Sequence, residues 1–154
     1  MAAPGHRQGF TLLELLVVLA LATVLIGLVP PLISAAIPGV ELKSSARRVA
    51  AGLRLAREEA IRTGRDTSFT IDLDERSFQV EGQGRRASLP KGLDLKLEVA
   101  TAELESPQRG SIRFFADGAS TGGRIILARD GQGWQVGAQW LTGRIQVAPW
   151  NGSR

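Results

Sequence analysis

The stretch Arg7-Gln8-Gly9-Phe10-Thr11-Leu12-Leu13-Glu14-Leu15-Leu16 opens an apolar run that continues to Val29 and holds a single carboxylate, Glu14. From Phe10 to Val29 the run is about 20 residues, or roughly 30 Å as a helix, which matches the hydrocarbon thickness of a bilayer. An acid at the centre of such a span costs about 2.5–3.5 kcal/mol on insertion scales, so Glu14 needs a reason to be there. Three readings compete. A secretory signal cut near Ser34-Ala35-Ala36 fits poorly, because its apolar region runs to only about 7–15 residues. A plain anchor offers the acid nothing beyond snorkelling at the interface. In the third reading, a helix starts in the membrane and later joins a protein assembly. A cut between Gly9 and Phe10 would then leave a protonated amine on Phe10, and the Glu14 of a staggered neighbour could compensate it. Pairing within the same helix start is the open alternative.

Gly9-Phe10-Thr11-Leu12-Leu13-Glu14 resembles the type IV prepilin cleavage motif shared by type IV pilins and type II secretion pseudopilins. The leader is short and ends in Gly, Phe follows the cut, and the acid is fifth after it. The resemblance implies that a prepilin peptidase removes residues 1–9, that Phe10 is N-methylated, and that Glu14 serves assembly.

Beyond the run, Pro30-Pro31 and Pro38-Gly39 predict a kink or local melting, since proline removes a donor and clashes with the preceding turn. From Val40 helical periodicity returns. Leu42, Ala46, Val49, Leu53, Ala56 and Ala60 fall on one face. Lys43, Arg47, Arg54 and Arg65 form a basic flank that reads as a solvated face, with docking to a subunit or to anionic lipid as the alternative. Gly64 is the expected stop.

After Gly64 the pattern changes to period two. Thr67 to Leu73, a turn at Asp74-Glu75-Arg76 and a return from Phe78 to Glu81 read as a hairpin. Leu93, Leu95, Leu97 and Val99 alternate with charged residues, as in a strand buried on one face. Ile112 to Phe115, Arg124 to Ala128, Trp134 to Gln139 and Arg144 to Val147 predict further strands, with turns at Asp130-Gly131-Gln132-Gly133 and Thr142-Gly143.

The segment from Phe115 to Gly123, then Trp134-Gln135-Val136 and Trp140-Leu141-Thr142-Gly143-Arg144, is similar to the GspH/FimT-type minor pseudopilin domain. Taken with the N-terminal motif, it implies an α+β, type IV pilin-like fold, with a long helix, membrane-embedded in its first half, packed on an antiparallel sheet. The expected organisation is a leader at 1–9, a transmembrane and assembly helix at 10–37, its amphipathic half at 38–65 and a β-rich periplasmic domain at 66–154. The implied role is a non-enzymatic minor pseudopilin of type II secretion, single-pass in the bacterial inner membrane. Its partners would be other minor and major pseudopilins and the prepilin peptidase, and no cofactor is implied. The alternative is a FimT-like minor pilin that binds DNA during uptake, for which Gly143-Arg144 would supply a phosphate contact.

Composition narrows the field further. The 44% hydrophobic and 22% charged residues describe a folded chain rather than a disordered tail. The net charge of +4 is modest for a dedicated nucleic-acid binder, which disfavours nucleic acid as a partner. With no cysteine and His6 as the single histidine, disulfide frameworks, thiolate zinc sites and serine–histidine triads cannot be assembled. The Gly/Ser/Thr-rich loop from Asp117 to Gly123 lacks the lysine of a P-loop and the carboxylates of a calcium loop, so it reads as tight turns. Trp134 and Trp140 are expected to seal a sheet core rather than to form a recognition surface.

Overall fold

A computed structural model describes residues 11–152, without side-chain placement for residues 27–38 and 101. The chain divides into two compact units, Met1–Pro38 and Gly39–Arg154.

Helix α1, Leu12–Thr63, is assigned without interruption through Pro30-Pro31 and Pro38-Gly39. The expected local melting is therefore absent from the backbone assignment. Each proline removes one amide donor, a loss that a helix of 52 residues can take while the flanking ladder persists. In the first unit, the apolar side chains described on α1 are exposed around its circumference, from Leu12 at 81% to Ile26 at 71%. Among the described residues no helical stretch is long and apolar enough to cross a membrane; the described side chains of the run end at Ile26.

In the second unit the predicted stripe is the buried face of α1. Leu42, Ala46, Val49, Leu53, Ala56 and Ala60 are all in the core. These residues are mostly small, and Gly52 among them lets the helix press onto aromatics. A Cβ at Gly52 would stand 2.7 Å from Cε2 of Phe69 and 2.9 Å from Cε2 of Phe78. The two rings stack at 5.2 Å between centroids.

The antiparallel strands form two sheets rather than one. The first has the order β3-β2-β1-β6-β5, from β1 (Thr67–Asp72), β2 (Ser77–Val80), β3 (Arg86–Ser88), β5 (Leu104–Ser106) and β6 (Arg109–Phe114). The second has the order β4-β7-β8-β9, from β4 (Asp94–Glu98), β7 (Gly123–Arg129), β8 (Gln132–Ala138) and β9 (Ile145–Asn151). Phe69, Ile71, Ile112 and Phe114 from the first sheet and Ile125, Leu127 and Val136 from the second share one core with α1. Asp130 and Gly131 take φ of 52° and 77°, the left-handed pair of a two-residue hairpin turn, which fixes Arg129 opposite Gln132. At the β4 edge, a hydrogen bond from the Arg124 guanidinium holds the Glu98 carboxyl below the usual carboxylate range. The last strand runs further than Arg144–Val147, to Asn151, because Pro149 lies on the outer edge of the sheet, where no ladder donor is needed.

Candidate functional site: the helix start and the Arg57 clamp

Two features of this chain bear on function, and each belongs to a different unit. At the helix start, the Thr11 hydroxyl accepts the Glu14 backbone N–H at 3.2 Å, and the Thr11 carbonyl accepts the Leu15 N–H at 3.2 Å. Thr11 is thus the N-cap and Glu14 the third helical residue, the spacing of a capping box. The Glu14 carboxylate lies in the first turn, where the helix macrodipole favours negative charge, and its side chain is exposed. Gly9 and Phe10 lie outside the described residues, so the proposed cut and methylation are not placed.

The second feature is built around Arg57 on the last turns of α1. Its Nε donates to the Gly118 carbonyl at 3.0 Å, and its Nη2 donates to the Thr142 carbonyl at 3.3 Å. One helical side chain thereby holds two loops, the β6–β7 connection and the β8–β9 hairpin. Those loops meet at glycines. Gly118 has φ of 85° and Gly143 of 58°, and a Cβ on Gly143 would stand 2.0 Å from the Gly118 carbonyl oxygen. The Asp117–Gly123 loop is made of turns, as expected: the Asp117 carboxylate accepts the Ala119 N–H at 2.9 Å, and Phe115 N–H reaches the Ala119 carbonyl at 2.9 Å. Near the start of the second unit a comparable tie joins Arg129 to Glu41 at 3.2 Å and to the Gly92 carbonyl at 2.8 Å.

Arg57→Met keeps the stem length and removes both bonds. It is expected to lower unfolding stability by about 1–2 kcal/mol, whereas Arg54→Met, on the exposed flank, should stay within about 0.5 kcal/mol. Urea titration of both variants checks the contrast.

Other predicted residues fall as follows. Arg144 is exposed and lines an open cavity of about 420 Å³ together with Arg54, Arg57, Glu58 and Thr142. Its backbone N–H donates to the Thr142 hydroxyl at 3.3 Å. Of the basic flank, Arg47, Arg54 and Arg65 are exposed, while Lys43 places its Nζ 5.5 Å from the centroid of Trp134. Trp134 packs half-buried against the core, but Trp140 does not seal it: the residue is 69% exposed. Trp140 lies just past the end of β8, where strand alternation no longer sets its direction. Sequence reasoning missed the Arg57 clamp. A single Arg between the buried stripe and the basic flank carries no mark of the carbonyls it will meet.

Residues 45–142 match the family model described as type II transport protein GspH, and residues 5–30 match the prokaryotic N-terminal methylation motif. The chain is also 38% identical over 151 residues to the type II secretion system protein H of Xanthomonas campestris pv. campestris, spanning 96% of this chain and 89% of that protein. This chain belongs to the GspH family. Its fold is similar to that of the minor pseudopilin EpsH of Vibrio cholerae, with a TM-score of 0.56, 25% identity, and coverage of 70% of this chain and 96% of that one. The type IV minor pilin FimU of Pseudomonas aeruginosa shares the fold at a TM-score of 0.55, with 20% identity over 70% of this chain and 93% of that one. The GspH match takes in Arg57, Gly118 and Trp140 and stops before Gly143 and Arg144. The methylation motif takes in the helix start, including Thr11 and Glu14.

Proposed function

We propose that the chain is a minor pseudopilin of the type II secretion system, assembling with other pseudopilins at the tip of a periplasmic pseudopilus. The observation that carries this reading is the likeness to type II secretion system protein H along 96% of the chain. The role is structural rather than catalytic.

The steps follow from the physical chemistry of the helix start. The helix is held first in the inner membrane, with the sheet domain in the periplasm. The apolar side chains from Leu12 to Ile26 are exposed in the isolated chain and need lipid or other helices to cover them, at roughly 25 cal/mol for each Å² removed from water. A prepilin peptidase cuts between Gly9 and Phe10 and the new Phe10 amine is methylated. The helix then leaves the lipid for a bundle, where Glu14 compensates the amine of a neighbouring subunit. Thr11 keeps the first turn formed through both environments by occupying the Glu14 amide.

Mass spectrometry of the full chain, produced in a cell with a prepilin peptidase, tests this. The mature protein is expected to begin at Phe10 and to be about 14 Da heavier than that sequence, one methyl group. A chain beginning beyond Ala36 would indicate a secreted domain instead, and an uncut Met1 terminus would remove the processing step and the pairing of Glu14 with a neighbour's Phe10 amine.

A further inference from the structure

The β8–β9 hairpin tip combines three properties. First, it shows apolar surface: Trp140 is 69% and Leu141 66% exposed, unlike the other tryptophans of the chain. Second, its backbone is held on several sides. The Trp140 carbonyl accepts the Ser120 N–H at 2.8 Å, the Gln139 carbonyl accepts the Ser120 hydroxyl at 3.0 Å, and the Thr142 carbonyl accepts Arg57. Gly122 sits so close that a Cβ there would be 3.0 Å from the Trp140 Cβ. A large ring on a fixed backbone loses little freedom on binding, which is what makes exposed tryptophans effective interface anchors. Third, the same hairpin continues into a cavity of about 420 Å³ where Arg54, Arg57 and Arg144 outnumber the single acid Glu58. Among the described residues neither Arg54 nor Arg144 forms an ion pair.

We infer that this hairpin tip and the adjoining arginine groove form a docking surface for another pilin-like subunit, one that presents an acidic side chain next to an apolar hollow. Trp140 and Leu141 fill the hollow, while Arg54 and Arg144 receive the carboxylate. Charge complementarity selects this occupant. A purely apolar partner would leave two guanidinium groups uncompensated at its rim, and a purely acidic one would leave the Trp140 ring in water. Arg57 is a positioning residue here, since two of its nitrogens are already committed to the loop carbonyls. The inference rests on the pseudopilin reading, because it takes the partner from the same assembly.

The test places a photo-crosslinking amino acid at Trp140 in the full chain, expressed in cells that assemble the secretion system. A second chain carries the crosslinker at Leu19 on the exposed apolar part of α1. Mass spectrometry of the Trp140 adduct is expected to identify a peptide of a different pilin-like subunit containing Asp or Glu beside apolar residues. The double variant Arg54→Glu/Arg144→Glu should cut the adduct yield about tenfold or more, and a matching acid-to-Lys change in the partner should restore it. Both arginines are exposed, so the double variant is expected to keep its fold, and its melting curve verifies this. Adducts at Trp140 to nucleic acid, to a second copy of this chain or to nothing overturn the inference, as does an unchanged yield in the charge-reversed chain. If Leu19 still yields pilin-like adducts in those cases, the pseudopilin reading survives and the docking surface alone fails. If both positions yield none, the pseudopilin reading fails as well.

Discussion

Glu14→Leu is expected to leave the cut between Gly9 and Phe10 intact and to reduce incorporation into pseudopili a hundredfold or so. The substitution helps the chain in lipid, because the apolar run loses its one charge. It harms the chain in a helix bundle, where the Phe10 amine of a neighbour would be left buried without an opposite charge. Removing one partner of a buried ion pair costs about 3–5 kcal/mol, enough to empty an assembly held by modest contacts. Glu14 also occupies the third position of a helix capped by Thr11, where a Glu or Gln side chain can return to the N-cap amide, so a loss of assembly could come from a frayed helix start. Glu14→Gln separates the causes. Glutamine serves as well as glutamate at that position of a capping box but carries no charge. If charge pairing governs assembly, the Gln chain fails like the Leu chain; if capping governs, it assembles. Counting pseudopili in cells producing each processed variant decides between them, and normal numbers with Leu would end the charge-pairing account.

Gly143→Val should be among the most damaging single changes in the folded unit. The new Cβ would lie 2.0 Å from the Gly118 carbonyl oxygen and 2.9 Å from Arg57 Nε. Neither can retreat cheaply, since the first is backbone and the second is bound to it at 3.0 Å. The positive φ of 58° adds a further penalty for a β-branched residue. A cost of about 4 kcal/mol or more is expected, corresponding to a melting temperature lowered by roughly 10–20 °C. Gly82→Ala is the control. Gly82 has φ of 78° with nothing within 4 Å of the added methyl, so it pays the backbone term alone, about 1 kcal/mol. Similar melting curves for the two variants would mean that the glycine contact is not what fixes the hairpin.

The parts of this architecture that were legible in the sequence are those carried by local patterns. The helix start is legible because Gly9, Phe10, Thr11 and Glu14 sit within six consecutive positions. The buried stripe from Leu42 to Ala60 follows from helical spacing, and β1, β2 and β7 follow from alternation or continuous apolar runs. The division into two sheets was not legible, because β1 pairs with β6 across some forty residues, Thr67 opposite Phe114, and no local pattern reports that choice. Strand β3 has one partly buried side chain, Ala87, and β5 has none, so neither carries a period to detect. The Gly143-Arg144 pair illustrates the limit in another way. As a dipeptide it suggested a phosphate contact; in the fold, Gly143 is explained by the carbonyl pressed against it. Arg144 is left as the exposed half of the pair.

The two arginine ties on the second half of α1 also have a mechanical meaning. Glu41–Arg129 lies near the beginning of that half and Arg57 near its end, about 24 Å apart along the axis at 1.5 Å per residue. A helix fastened at one end peels away from its sheets, breaking contacts one after another under a small force. One riveted at both ends and drawn along its own axis must load both rivets together, in shear. The polar ties thus add to the buried stripe from Leu42 to Ala60, so that a pull along this half of α1 is shared between the packed face and both ties instead of peeling the helix from one end.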